Sequence, residues 1–186
     1  MHSALAMEAA VRWSSTRDRR RFLVVDASDS SLTLNEVDHV GHCNIQYRQI
    51  TRYTKLPGFS AFSWSPVQDS LVVLGLVSGD ASLIRLGESK ETSEIIATFR
   101  VKQQRKCNSV SLSSQHWLAV ALDKTRSDVC LNIYDVSGDI SSSVEPVRRL
   151  CAAELVSSVR FFPRSPHELV ATTQRSFIRI YDLRGA

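Results

Sequence analysis

Glycine and proline are scarce in this chain of 186 residues, 7 and 5 in all, which argues against a disordered polymer or a linker. Cysteine is limited to four positions, 43, 107, 130 and 151. No two lie within three residues of each other, so neither a zinc knuckle nor a Cys-x-x-Cys redox pair is available. Buried or half-buried free thiols in a reducing compartment are the expectation. Long hydrophobic runs are missing: the stretch Ser70 to Gly79 is about half the length that spans a bilayer. The segment Met1 to Ala10 lacks the basic start of a secretory signal. Together these absences predict a soluble, intracellular protein.

Catalytic signatures are absent as well. There is no Gly-x-Ser-x-Gly elbow, Gly-rich phosphate loop or His-Glu-x-x-His pair. His39-Val40-Gly41-His42-Cys43 places three ligand-capable side chains close together, but no second cluster completes a tetrahedral site. The sequence therefore predicts no enzyme, catalytic residue, metal, cofactor or small-molecule substrate. The net charge of +4 is largely local, with Arg17, Arg19, Arg20 and Arg21 broken only by Asp18. Basic residues are not spread along one face of a repeat, which argues against nucleic acid. The cluster reads as a solvated turn more readily than as a site for acidic headgroups.

What the sequence does have is a repeat. An aliphatic–x–aromatic start, an apolar run, a polar turn and an alternating strand recur about every 50 residues. The starts are Val11-Arg12-Trp13, Phe62-Ser63-Trp64, Val110-Ser111-Leu112 and Val159-Arg160-Phe161. Their anchors, Trp13, Trp64, Leu112 and Phe161, lie 51, 48 and 49 positions apart. Trp13, Trp64 and Phe161 are expected to be core. In the second unit the pattern predicts strands over 59–64, 71–76 and 83–86, with Ser65 to Asp69 and Ser78-Gly79-Asp80 as turns. In the fourth, Pro163 to His167 reads as a turn. Weak outer-strand candidates fall at 45–50, 95–101 and 147–151, and no long helical periodicity is present. Each unit is thus an antiparallel meander.

Such units at this spacing predict an all-β, WD40-type β-propeller with about four blades, partial or open. The blades span about 11–38, 59–87, 107–136 and 156–184, within one domain covering 1–186. Tyr134-Asp135 and Tyr181-Asp182 stand where such repeats end in Trp-Asp, with the aromatic expected between blades and Asp135 and Asp182 facing the connections. Four units fall short of the usual ring, so a fragment, a truncated product or half a ring completed in trans is expected.

Two stretches carry a closer resemblance. Cys107-Asn108 followed by Trp117-Leu118-Ala119-Val120-Ala121-Leu122-Asp123-Lys124-Thr125-Arg126-Ser127-Asp128 resembles the third blade of the Mio (missing oocyte) family. Phe162-Pro163-Arg164 with Ile180-Tyr181-Asp182-Leu183-Arg184 is similar to its fourth. The opening, Arg12-Trp13 before Arg21-Phe22-Leu23-Val24-Val25-Asp26, is similar too. The resemblance implies a non-catalytic scaffold in a GATOR/SEA-type complex that relays amino-acid availability to the target of rapamycin kinase complex. It implies a cytoplasmic location at the vacuolar or lysosomal membrane surface, reached only through the complex. Partners would be other WD-repeat and nucleoporin-like subunits. Asp123, Lys124, Arg126 and Asp128 are the candidate contact loop, because loops on rigid β scaffolds disproportionately carry binding. Exposed Ser141 to Ser143 is a candidate modification site. The alternative is a WD-repeat adaptor recruiting a peptide to a ubiquitin ligase or chromatin complex.

Overall fold

A computed structural model describes residues 9–15, 20–40, 45–87, 93–126, 128–138, 145–152, 154–175 and 177–185. His42, Cys43, Arg17, Asp18, Arg19, Ser127 and Ser141 to Ser143 lie outside them. The described residues form four antiparallel sheets and no helix. The first sheet is β1 (Ala9–Trp13), β2 (Arg21–Asp26), β3 (Ser31–Val40) and β4 (Ile45–Tyr53). The second is β5 (Phe59–Trp64), β6 (Leu71–Leu76), β7 (Ala81–Leu86) and β8 (Ser93–Phe99). The third is β9 (Cys107–Leu112), β10 (Trp117–Leu122), β11 (Val129–Asp135) and β12 (Arg148–Ala152). The fourth has three strands, β13 (Val156–Phe162), β14 (Ser165–Thr173) and β15 (Ile178–Asp182). Within every sheet the strands pair in chain order, so each is a meander.

Turn chemistry sets the hairpins. Ser65 Oγ accepts from the backbone N–H groups of Val67 (3.3 Å) and Gln68 (3.2 Å). Ser113, at the same place in the third repeat, accepts from Gln115 and Trp117, both at 3.1 Å. A serine one residue past the anchor thus closes both turns by side-chain capping of backbone donors. Gly79 takes the positive φ of the next turn, 97°, a conformation that costs a residue with a Cβ. The turn expected over Pro163–His167 is shorter than that. β14 already begins at Ser165, which pairs with Phe162, leaving only Pro163 and Arg164 between the strands. Pro166 is tolerated there because pairing with β15 starts only at Glu168, so no second ladder asks for its missing N–H.

The core lies between sheets, in three layers. Leu23, Val25, Leu32 and Leu34 of the first sheet pack on Phe62, Val72, Leu74, Ile84 and Leu86 of the second. The other face of the second sheet, Val73, Ala81, Leu83 and Phe99, meets Val110, Leu112, Leu118, Val120 and Tyr134 of the third. Ala119, Ala121, Leu131 and Ile133 then meet Val159, Phe161, Leu169 and Ala171 of the fourth. Middle sheets are covered on both faces, and β6 and β10 are correspondingly near-continuous apolar runs. Each fully buried aliphatic side chain contributes on the order of 1.5–3 kcal/mol relative to exposure.

The end sheets differ. Val11 and Trp13, paired in register with Val24 and Phe22, lie on the face of the first sheet turned away from the second. Trp13, expected in the core, is 60% exposed. The reason is positional: an anchor is buried by the preceding blade, and no described residue covers the first one. Leu112 and Phe161 are buried, and Trp64 is half-buried with Nε1 donating to the Asp69 carbonyl at 2.9 Å. At the opposite end Ile178 and Ile180, paired with Thr172 and Val170, are 71% and 66% exposed.

Candidate interaction site

The loop after β10 is built from its neighbours upward. Arg105 precedes β9, and its guanidinium donates to Thr125 Oγ1 (3.0 Å), Asp128 Oδ2 (2.9 Å) and the Val129 carbonyl (2.7 Å). Arg105 is buried and Asp128 half-buried, so the pair works at low dielectric with extra hydrogen bonds to offset desolvation. Asn108 Nδ2 donates to Asp123 Oδ1 (2.8 Å) and to the Val156 carbonyl (3.1 Å), tying the loop to the fourth sheet. The Asp123 N–H donates to the Lys106 carbonyl at 3.0 Å.

The four residues singled out in this loop therefore divide. Asp123 and Asp128 point inward and hold the loop; Lys124 and Arg126 are exposed and are the two that a partner could touch. Lys124 borders a cleft of about 270 Å³ shared with Glu154, Gln174, Arg175, Phe177 and Arg179. Arg20 is exposed, whereas Arg21 pairs with Glu36 at 3.2 Å. Arg48, then Arg21, hold the Glu36 carboxyl below the ordinary carboxylate range.

At the two strand ends the aromatic–acid pairs have distinct settings. Tyr134 is buried, its ring 4.8 Å from that of Phe99 in the neighbouring sheet. Tyr181 is half-buried, with its hydroxyl 2.8 Å from Cys151 Sγ in the third sheet. Burial first, then the Cys151 contact, pushes the Tyr181 phenol up to about 12. Asp135 and Asp182 are exposed and accept from the N–H groups of Ser137 (2.9 Å) and Arg184 (3.0 Å), closing the turns that follow. Cys107, Cys130 and Cys151 are buried free thiols. Among the described residues no three His, Cys, Asp or Glu side chains converge as a metal site, and no helix is long and apolar enough to cross a membrane.

Sequence reasoning passed over the middle residue of the repeated start. Ser63 Oγ accepts from the Leu112 N–H at 3.0 Å, and Ser111 Oγ from the Phe161 N–H at 3.1 Å, so each clips its sheet to the next. Arg12 and Arg160 occupy the same repeat position in the first and fourth sheets. Both line a central cavity of about 430 Å³ together with Ser60, Phe62, Lys106, Asn108 and other inner-strand residues. The signal was present in the sequence, as the variable residue before each anchor.

Sheets in chain order, each a meander packed face to face on the next, with inner strands around a shared cavity, define a WD-type β-propeller. This chain forms an open four-blade portion of one. It superposes on a crystal structure of Chaetomium thermophilum Sqt1 with a TM-score of 0.66 and 20% identity, covering 95% of this chain and 45% of that one. No family model matches the chain. It is 27% identical over 155 residues to the GATOR2 complex protein MIOS of Danio rerio, and 28% identical over 157 residues to MIOS-A of Xenopus laevis. Both matches take in 69% of this chain and 18% of the relative's length. This agrees with the resemblance to the Mio family drawn from the residues.

Proposed function

We propose that the chain is a non-catalytic interaction scaffold, a Mio-like propeller portion that works within a GATOR2-type assembly. The carrying observation is the pair of uncovered blade faces. Val11, Trp13, Phe22 and Tyr47 continue across one end, with ring centroids 5.1 Å apart for Trp13–Phe22 and 5.5 Å for Phe22–Tyr47. Ile178 and Ile180 stand on the other. Equivalent faces inside the arc are buried by the next sheet, so the occupants these two fit are further four-stranded blades. Similarity to two GATOR2 complex proteins supports such an assembly. A relay of amino-acid availability to target of rapamycin signalling, at the vacuolar or lysosomal surface, is the part of this proposal that rests on the resemblance to the Mio family alone.

Affinity capture of the tagged chain from cells, with partners identified by mass spectrometry, tests this reading. WD-repeat and nucleoporin-like subunits are expected, and their capture is expected to fall when Lys124 and Arg126 become alanine while the fold is kept. Recovery of histone or ubiquitin-ligase peptides instead would favour the adaptor reading.

A further inference from the structure

The cavity bounded by the inner strands has a charge that no described residue neutralises. Arg12, Lys106 and Arg160 line it, and Asp123 is the one carboxylate among the residues around it, already engaged by Asn108. None of the three cations forms an ion pair among the described residues. Among the described residues Arg12 donates only to its neighbour's carbonyl, at 3.1 Å, and its guanidinium sits over the Phe62 ring, 5.6 Å from the centroid. Arg160 uses one nitrogen, Nη1, for the carbonyls of Val110 (2.9 Å) and Val159 (3.1 Å) and for Ser109 Oγ (3.4 Å). Its Nε and Nη2 donors have no protein partner among the described residues.

Unpaired guanidinium groups on a surface usually project into water. These two are brought together from blades at opposite ends of the arc, onto one cavity. Desolvation first, and then the nearby charge of Arg12, lower the pKa of Arg160, whose side chain stays partly open to solvent. Arg160 is fixed by its backbone contacts, so its free donors are held ready at little further entropic cost. Ser60, Ser109, Ser157 and Asn108 stand around them with their own hydrogens given to protein oxygens, so the free donors of the cavity are those of the cations.

We propose that this cavity is a binding site for a small phosphorylated ligand, held by Arg12 and Arg160 with Lys106 as a third cation. A single carboxylate would leave net positive charge behind. A phosphate group carries nearly two negative charges and three acceptor oxygens, which suits two guanidinium forks converging from different strands. A second phosphate would reach Lys106. The assignment is independent of which proteins the scaffold meets.

Titration of the 186-residue chain with pyrophosphate, by calorimetry and phosphorus NMR at low ionic strength, tests it. Saturable binding is expected, weakened by about tenfold in either Arg12→Gln or Arg160→Gln, since each removes charge-assisted bonds. Lys102→Gln, a change at an exposed lysine outside the cavity, is expected to leave binding intact. Arg160 also bonds to backbone, so its variant could unfold; Arg12, with one peripheral bond, keeps the test valid. No saturable binding by folded wild-type chain, or binding indifferent to the Arg12 substitution, overturns the proposal. So does Arg12-dependent binding of a glutamate-rich peptide without pyrophosphate binding, which would assign the cavity to a protein segment.

Discussion

Arg105 Nη2 and Asp128 Oδ2 are 2.9 Å apart, with 3% of the arginine side chain and 19% of the aspartate side chain exposed. The pair joins the start of β9 to the start of β11 within one blade, and the Arg105 N–H reaches back to the Ser78 carbonyl at 3.1 Å in the turn of the blade before. One residue therefore fixes both the loop after β10 and its seat against the second sheet.

Breaking that pair from the arginine side is expected to be severe. Arg105→Ala leaves Asp128 half-buried without its cation and removes three side-chain hydrogen bonds, a loss of about 3–5 kcal/mol for a buried pair. Asp128→Asn keeps an acceptor for Arg105 and is expected to cost less. Urea denaturation followed by circular dichroism measures both. Equal, small losses would show that the loop is not held this way.

Lys124 and Arg126 are expected to behave in the opposite manner. Both are exposed, and neither holds the loop, so alanine at both positions should leave the melting temperature unchanged. Capture of partners by the tagged chain should fall. A variant that melts early would mean that these side chains support the fold rather than an interface.

Close packing between the second and third blades makes a sharper test. A Cβ at Gly75 would meet Cys107 Sγ and lie 2.9 Å from Val110 Cγ1, inside a layer with no slack. Gly75→Ala is expected to destabilise by about 1–3 kcal/mol, the usual range for overpacking. Cys107→Ala removes the nearest obstructing atom, so the double variant should lose less than the sum of the singles. Strict additivity in a double-mutant cycle would contradict the geometry.

Much of the architecture is legible in the sequence because the middle blades are buried on both faces. β5 and β6 occupy the residues expected of them, 59–64 and 71–76, since a run such as Leu71-Val72-Val73-Leu74 has only one place to go. Outer strands are harder to read. β4 mixes polar and apolar residues, with Gln46, Tyr47, Arg48, Gln49 and Arg52 exposed, and β12 is short and carries Arg148 and Arg149. Trp13 misleads for a different reason: repeat position reports the environment inside an array, not at its end. The Asp123–Asp128 loop reads as one charged surface, yet Asn108 and Arg105 absorb its two carboxylates, a division that depends on residues fifteen or more positions upstream.

The uncovered end faces should govern how the chain behaves alone. Trp13, Ile178 and Ile180 present apolar surface at both ends, and β15, which among the described residues pairs with β14 alone, adds an open strand edge. Replacing Trp13, Ile178 and Ile180 by lysine is expected to lower concentration-dependent association in sedimentation velocity without changing the circular dichroism. Unchanged association would place the sticky surface elsewhere.

Burial raises the pKa of Tyr53, Cys130 and Tyr181 and of two further acids, Cys107 and Tyr134, whose effect on alkaline stability can be separated by substitution. Burial pushes the Cys107 thiol from 9.0 up to about 12, and the Tyr134 phenol from 10.0 up to about 12. Below pH 9 both groups keep their protons whether the chain is folded or not, and their contribution is fully present. As pH rises from 9 to 12 the unfolded chain releases first the thiol proton and then the phenol proton, while the folded chain retains both. Each group therefore lowers stability as pH rises, by up to about 1.4 kcal/mol per pH unit where only its unfolded form is ionised. Urea midpoints measured from pH 8 to 12 should stay level to about pH 9 and then fall, more steeply above 10. Tyr134→Phe removes the second ionisation and should flatten the fall between pH 10 and 12. The same burial should leave Cys107 unreactive toward thiol reagents in the folded chain. Rapid modification of Cys107 at neutral pH, without unfolding, would show that the layer between the second and third blades is open to solvent.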